Sequence, residues 1–171
     1  MHRTLQYAIL FIAMVILQIF LFSRIGISVY VHPLVCIAFI VLLPMEIAPL
    51  ALLGLALLQG VTLDFFMATA GIHTIAALLA AFCRPALLAV LVGKDEVKDG
   101  GGPNVNRIGA KKFVRYASAM ILIHSTAFFL LEALSWSFFY RTALRIVLSS
   151  AVTLPLVYFC QKLFSVNRQK I

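Results

Sequence analysis

Residues 60–84 read GVTLDFFMATAGIHTIAALLAAFCR. Nearly every side chain here is apolar, yet one carboxylate, Asp64, sits among them, with Gly60 before it and Gly71 after it. Glycine lets membrane helices approach backbone to backbone and also takes the positive φ of a tight turn. The stretch therefore predicts a close-packed helical hairpin with Asp64 near the outer end of its first arm. An ionised carboxylate deep in a bilayer is costly and usually marks function or a partner. Near an interface the cost falls, and turn amides ahead of a helix are its ordinary structural partners. Both roles are open for Asp64.

The rest of the chain has the same character. Its 171 residues are 63% hydrophobic and 12% charged, with a mean hydropathy of +1.06. A soluble domain is about half apolar and about a quarter charged, so this chain has too few charges to coat a globule in water. An all-α integral membrane protein is predicted, as a single transmembrane domain over 1–171.

A spanning helix needs roughly 20 apolar residues. Six segments are read as spans, at about 4–22, 30–44, 47–63, 66–84 or 92, 113–134 and 140–164. Prolines shape them. Pro33 falls in the first turn of the second span and Pro44 ends it, while Pro155 lies inside the sixth. The first span, about 18 apolar residues from Leu5 to Phe22, is longer than a signal-peptide core, and no small-x-small cleavage site follows. It is read as a retained helix.

Arg84-Pro85 interrupts the fourth span. If the helix ends at Cys83, Arg84 sits at the inner interface and residues 86–92 form a short interfacial piece. If it runs on to Val92, Arg84 lies about 12 Å from the inner end. The first arrangement costs less, because an Arg near a helix end can snorkel, and it is the expected one. Residues 93–112, GKDEVKDGGGPNVNRIGAKK, have the composition of a flexible linker. The other connections are short, so neighbouring helices are expected to be antiparallel.

The Lys and Arg residues set the orientation. With six spans and the N-terminus inside, ten of the 14 face inward, Arg24 and Arg141 face outward, and Arg84 and Arg145 lie within spans. Both ends are therefore expected in the cytoplasm. The basic inner loop and tail suit an anionic lipid leaflet. No aromatic-interleaved basic patch appears, so nucleic acid is not an expected partner. Cys36, Cys83 and Cys160 lie in apolar runs without metal-like spacing and are read as small buried hydrophobes.

Few residues could carry chemistry. His124 and Glu132, eight apart on the fifth span, point to roughly the same side of a helix. Such a pair can serve a proton relay, a metal site or a bond to another helix, and the bond is the plainer reading. His73 and Asp64 are the plausible further ligands if a metal were held. No phosphate-binding loop, zinc-protease helix or glycine-flanked serine elbow occurs. The glycines at 100–102 lead into Pro103, not into a helix with Lys and Ser. No enzyme, cofactor or resident metal is expected.

Taken together the pattern resembles the rod shape-determining protein MreD family. The first span ends in LQIFLF, residues 17–22. The second begins with Pro33 and closes with LLP, Leu42 to Pro44. The hairpin carries Gly60, Asp64 and Gly71 in the order in which that family has a glycine, an acidic residue and a turn glycine, and the last span contains Pro155 before a basic tail. The resemblance covers nearly the whole chain; the loop at 93–112 is longer than is common in the family.

That resemblance implies a six-helix bundle similar in fold to the substrate-binding subunits of energy-coupling-factor transporters. It implies a non-catalytic component of the elongation complex in the inner membrane of rod-shaped bacteria. The implied partners are the bitopic scaffold MreC and, through it, the actin-like MreB and the peptidoglycan synthases. On this reading the hairpin of Gly60, Asp64, Gly71 and His73 is a structural and partner-binding unit, and Arg84, His124 and Glu132 are the polar residues embedded in the membrane. Two other readings remain open. A vitamin-capture subunit would need a pocket built from Asp64, Thr69, His73, Glu132 and Trp136. A small intramembrane enzyme or proton-coupled carrier would use His124, Glu132 and Asp64.

Overall fold

The computed structural model describes residues 2–24, 32–133 and 139–166. The expected start of the second span near Tyr30, Trp136 and the tail residues Arg168 and Lys170 lie outside them. The described residues are helical without strands: α1 (His2–Arg24), α2 (Ile37–Leu42), α3 (Pro49–Met67), α4 (Ile72–Leu87), α5 (Lys94–Lys98), α6 (Val105–Ile108), α7 (Ala110–Ala133) and α8 (Phe139–Val166). A π-helical turn, Leu88–Val92, continues α4. Four helices are long and apolar enough to cross a membrane: Pro49–Met67, Ile72–Val92, Ala110–Ala133 and Tyr140–Leu163. α1 carries a shorter apolar stretch, Thr4–Phe20. The chain is a multi-pass membrane protein by these lengths and compositions.

Large apolar side chains on the outer faces, such as Leu50, Phe65, Phe82 and Val90, are exposed. In lipid this is the expected disposition, because helix association there depends on close packing and not on hiding apolar surface. One run of alanines faces inward instead. Ala76, Ala77, Ala80 and Ala81 of α4 are all buried, which lets α3 and α7 pack closely against it.

The second expected span differs from its prediction. Helix covers only Ile37–Leu42, and Pro33 lies ahead of it, not in its first turn. Pro33 supplies no amide hydrogen and disfavours helix at His32 before it. This segment is also the longest unbroken buried run among the described residues: every residue from Leu34 to Leu43 is buried. Its apolar run reads as a span because it is in the core, surrounded by the other helices. Thr4 and Tyr7 of α1 line the same cleft as Ile47 just before α3. The two helices therefore start at one end of the bundle, and the segment between them carries the chain back.

The fourth span is also corrected. It does not end at Cys83 with Arg84 at an interface. The helix starts at Ile72, not near 66, and continues through Arg84 and Pro85 into the π turn. Pro85 lacks the amide that would bond one turn back. The Leu88 amide is shared between the carbonyls of Arg84 and Pro85, and a wider turn follows, in which the Gly93 amide bonds five residues back to the Leu88 carbonyl at 3.1 Å. The third span runs a turn beyond its expected end, to Met67. Pro155 lies inside α8, which continues past it.

The loop at 93–112 is not the linker that its composition suggests. α5 and α6 fold within it, and it is tied to the bundle. The Met45 amide donates to the Gly101 carbonyl at 2.8 Å. Gln161 on α8 donates to the Asn104 side chain at 3.0 Å, and the Lys112 ammonium meets Glu96 at 2.6 Å. Ile108 is buried against the core. Its glycines serve tight turns, with Gly100 and Gly101 at positive φ, and not flexibility.

Candidate functional site: the 60–74 hairpin and the core segment it supports

α3 and α4 form the predicted hairpin. Their closest approach is at Gly60, where an added Cβ would lie 2.4 Å from the Thr74 Cα and 2.9 Å from its amide nitrogen. No side chain fits there. α3 ends at Ala68, whose left-handed φ of 53° reverses the chain, and Gly71 takes φ 85° to start α4. The Thr69 amide bonds back to the Asp64 carbonyl at 3.1 Å.

One turn beyond Gly60, Asp64 reaches the start of α4. Its Oδ1 accepts the His73 amide at 3.0 Å, and its Oδ2 accepts the Thr74 amide at 2.9 Å. The Thr74 hydroxyl donates to Oδ2 at 2.6 Å, and the Thr69 hydroxyl donates to Oδ1. Four donors converge on one carboxylate. The amides at a helix start have no partner within the helix, and the helix dipole favours negative charge there. Asp64 thus caps α4 from the neighbouring helix, the structural role the sequence allowed for it.

His73 is brought to this turn by its backbone, but its ring points elsewhere. It is buried against Phe128 of α7, ring centroids 4.7 Å apart. Among the described residues neither of its ring nitrogens nor Nδ1 of buried His124 has a hydrogen-bond partner. Glu132 does not join His124. It is paired with Arg145 of α8 at 3.0 Å, and the Arg145 guanidinium also lies 4.8 Å from the centre of the Phe129 ring. The bond to another helix expected of these residues is thus made by Glu132. Among the described residues no three His, Cys, Asp or Glu side chains are placed to hold a metal ion.

Arg84 is among the largest fully buried side chains of the described residues. Its guanidinium donates to the carbonyls of Leu43 and Pro44, the latter at 3.2 Å, and its Nε donates to the Tyr116 hydroxyl at 3.0 Å. Tyr116 in turn donates to the Val41 carbonyl at 3.3 Å. These carbonyls are the unsatisfied end of α2, where a helix carries partial negative charge. In carriers with broken helices such an end commonly coordinates a cation. Here the cation is the protein's own.

Sequence reading missed the residues that hold the other end of the same segment. Gln18 of α1 donates to the Pro33 carbonyl at 3.3 Å and accepts the Cys36 amide at 3.1 Å. Gln59 of α3 donates to the Cys36 carbonyl at 2.8 Å. On α8, Ser149 accepts the His32 amide at 2.9 Å and Thr153 accepts the Leu34 amide at 3.1 Å. Irregular backbone survives at membrane depth only where such partners satisfy it. The signal was present as glutamines, a serine and a threonine inside apolar runs, residue types that ordinarily hydrogen-bond across membrane helices. The chain matches no family model, no curated protein and no solved structure.

Proposed function

We infer that this chain is a non-catalytic, multi-pass component of a bacterial cell-elongation complex in the inner membrane, acting as MreD-family proteins do. In this reading it crosses the membrane six times with both ends inside. It binds a single-span MreC-like scaffold, and through that scaffold meets the actin-like filament protein and the peptidoglycan synthases. The observation that carries the reading is the joint geometry of Gly60, Asp64 and Gly71. The three hairpin residues, the most specific part of the resemblance, act as one unit, with the close approach at Gly60 and the turn at Gly71 placing α4 for capping by Asp64.

The embedded polar groups favour scaffold over carrier or enzyme. Asp64 and Thr69, counted towards a capture pocket, are spent on the helix cap. Glu132 is paired with Arg145, and Arg84 is spent on α2. A bundle with Asp64 and Arg84 turned inward and Glu132 paired suits packing against a partner's helix.

The test is a mild-detergent pull-down of the tagged full chain from its native membrane, with partners identified by mass spectrometry. Recovery of a single-span scaffold together with actin-like and peptidoglycan-synthesis proteins supports the reading. Recovery of paired ATPases with a coupling membrane subunit overturns it in favour of vitamin capture.

A further inference from the structure

Between α1 and α3 lies an open apolar cleft of about 640 Å³. Ala8 and Ile12 form one wall, Leu55 and Leu58 the other, and Phe39 lies in its lining between them. Thr4, Tyr7 and Glu46 contribute the polar atoms at one end. Glu46 is exposed, and among the described residues its carboxylate forms no salt bridge.

The dimensions of the cleft point to its occupant. On α1 its lining runs from Thr4 to Ile12, a rise of about 12 Å at 1.5 Å per residue. A bilayer's hydrocarbon core is about 30 Å thick, so the cleft covers one leaflet. A partner's spanning helix would need a seat running the whole depth. An acyl chain from one leaflet needs only this half. The polar end coincides with the turn leading into α3 and with the loop at Gly100, against which Glu46 rests. A lipid headgroup would lie at that level, where an exposed carboxylate and two hydroxyls offer acceptors and negative charge.

We propose that the α1–α3 cleft binds a glycerophospholipid whose headgroup ends in a primary ammonium, with an acyl chain between the two helices and the ammonium on Glu46. An ammonium offers three donors to these acceptors. A trimethylammonium head has no N–H to give, and a purely anionic head meets the carboxylate unfavourably.

The experiment uses the full-length protein, delipidated in detergent and titrated with phosphatidylethanolamine, phosphatidylcholine or phosphatidylglycerol of identical chains, with bound lipid read by native mass spectrometry. Phosphatidylethanolamine is expected to bind about tenfold more tightly than either of the others, the scale of one charge-assisted hydrogen bond. Glu46→Gln, an isosteric change at an exposed site, is expected to erase that preference. Ala8→Trp, also on an exposed residue, is expected to weaken binding of all three by filling the cleft. Equal binding of the three lipids by the unaltered protein overturns the headgroup assignment, as does an unchanged preference in Glu46→Gln. Undiminished binding in Ala8→Trp overturns the site. A protein helix occupying the cleft in the purified complex overturns the lipid as its occupant.

Discussion

Gly60 and Thr74 meet backbone to backbone, so closely that a Cβ on the glycine would stand 2.4 Å from the Thr74 Cα. The contact sets the distance at which Asp64, one turn further along α3, can reach the amides of His73 and Thr74. Gly60→Ala must push α4 away, and overpacking of this kind costs about 1–3 kcal/mol. Gly54, on the same helix, has nothing within 4 Å of its Cβ position. Thermal denaturation in detergent should show a clear loss for Gly60→Ala and none for Gly54→Ala. Equal behaviour of the two would mean that the hairpin is not held at this crossing.

Asp64→Ala removes the cap of α4 and leaves two helix-start amides and two hydroxyls without their acceptor. Loss of a cap costs about 0.5–2 kcal/mol. Asp64→Asn keeps the shape and one good acceptor and should lose less. If the hairpin's outer end organises partner binding, Asp64→Ala should also reduce recovery of the scaffold in the pull-down and round the cells. Normal shape with full recovery would confine Asp64 to stability.

Arg84→Met leaves the carbonyls of Leu43 and Pro44 unpaired at the buried end of α2. Each buried polar group left unsatisfied costs about 1–3 kcal/mol. Tyr116→Phe removes the donor to Val41 and the acceptor of the Arg84 Nε but leaves the guanidinium on both carbonyls, and should cost less, about 1–3 kcal/mol. Arg84→Lys keeps the charge but not the fork that reaches two carbonyls and a hydroxyl, so it should fall between them. The order Met, Lys, Phe in melting temperature, lowest first, checks the arrangement; an Arg84→Met protein as stable as the parent would contradict it.

The hairpin was legible because its residues act locally: a glycine, a carboxylate one turn later and a turn glycine lie close together on the chain. Helices at 4–22, 113–134 and 140–164 were legible from apolar run length alone: α7 and α8 are long and apolar enough to cross a membrane, while α1 carries a shorter apolar stretch, Thr4–Phe20. The segment at 30–44 was not, because hydropathy cannot tell a lipid-facing run from a run enclosed by other helices. Arg84 was misplaced for a related reason. Snorkelling is the cheaper choice for an isolated helix, but the carbonyls at Leu43 and Pro44 come from a distant part of the chain. The glycines of the 93–112 loop pointed to flexibility because composition alone does not reveal the bonds from Met45 and Gln161 that fix it.

Gln18→Leu and Thr153→Val test the upper end of the core segment. Gln18 satisfies a carbonyl at Pro33 and an amide at Cys36, whereas Thr153 satisfies the single amide of Leu34. Gln18→Leu should therefore cost more, about 2–4 kcal/mol against about 1–2 for Thr153→Val, taking about 1–2 for each lost bond. Val is nearly isosteric with Thr, so its loss reports hydrogen bonds and not a cavity: the one from the Leu34 amide and the hydroxyl's own to the Ser149 carbonyl one turn back. Hydrogen exchange at the Leu34 and Cys36 amides should rise in the matching variant only. Unchanged exchange at Cys36 in Gln18→Leu would remove the glutamine from this role.

The orientation rests on charge counting and is open to direct labelling. Cys36, Cys83 and Cys160 are free thiols, so a background lacking them is needed, with single cysteines then placed at Lys98 and at Arg141. Lys98 ends α5 in the basic loop and Arg141 lies near the start of α8. α8 separates its own start from its end, where Gln161 meets Asn104 of that loop, so the two sites belong to opposite ends of the bundle. A membrane-impermeant maleimide added to intact spheroplasts should label the cysteine at 141 and spare the one at 98 until the membrane is opened. The reverse pattern would place the basic loop outside, against the bias of Lys and Arg towards the cytoplasm. It would also move the cleft at Glu46 to the outer leaflet.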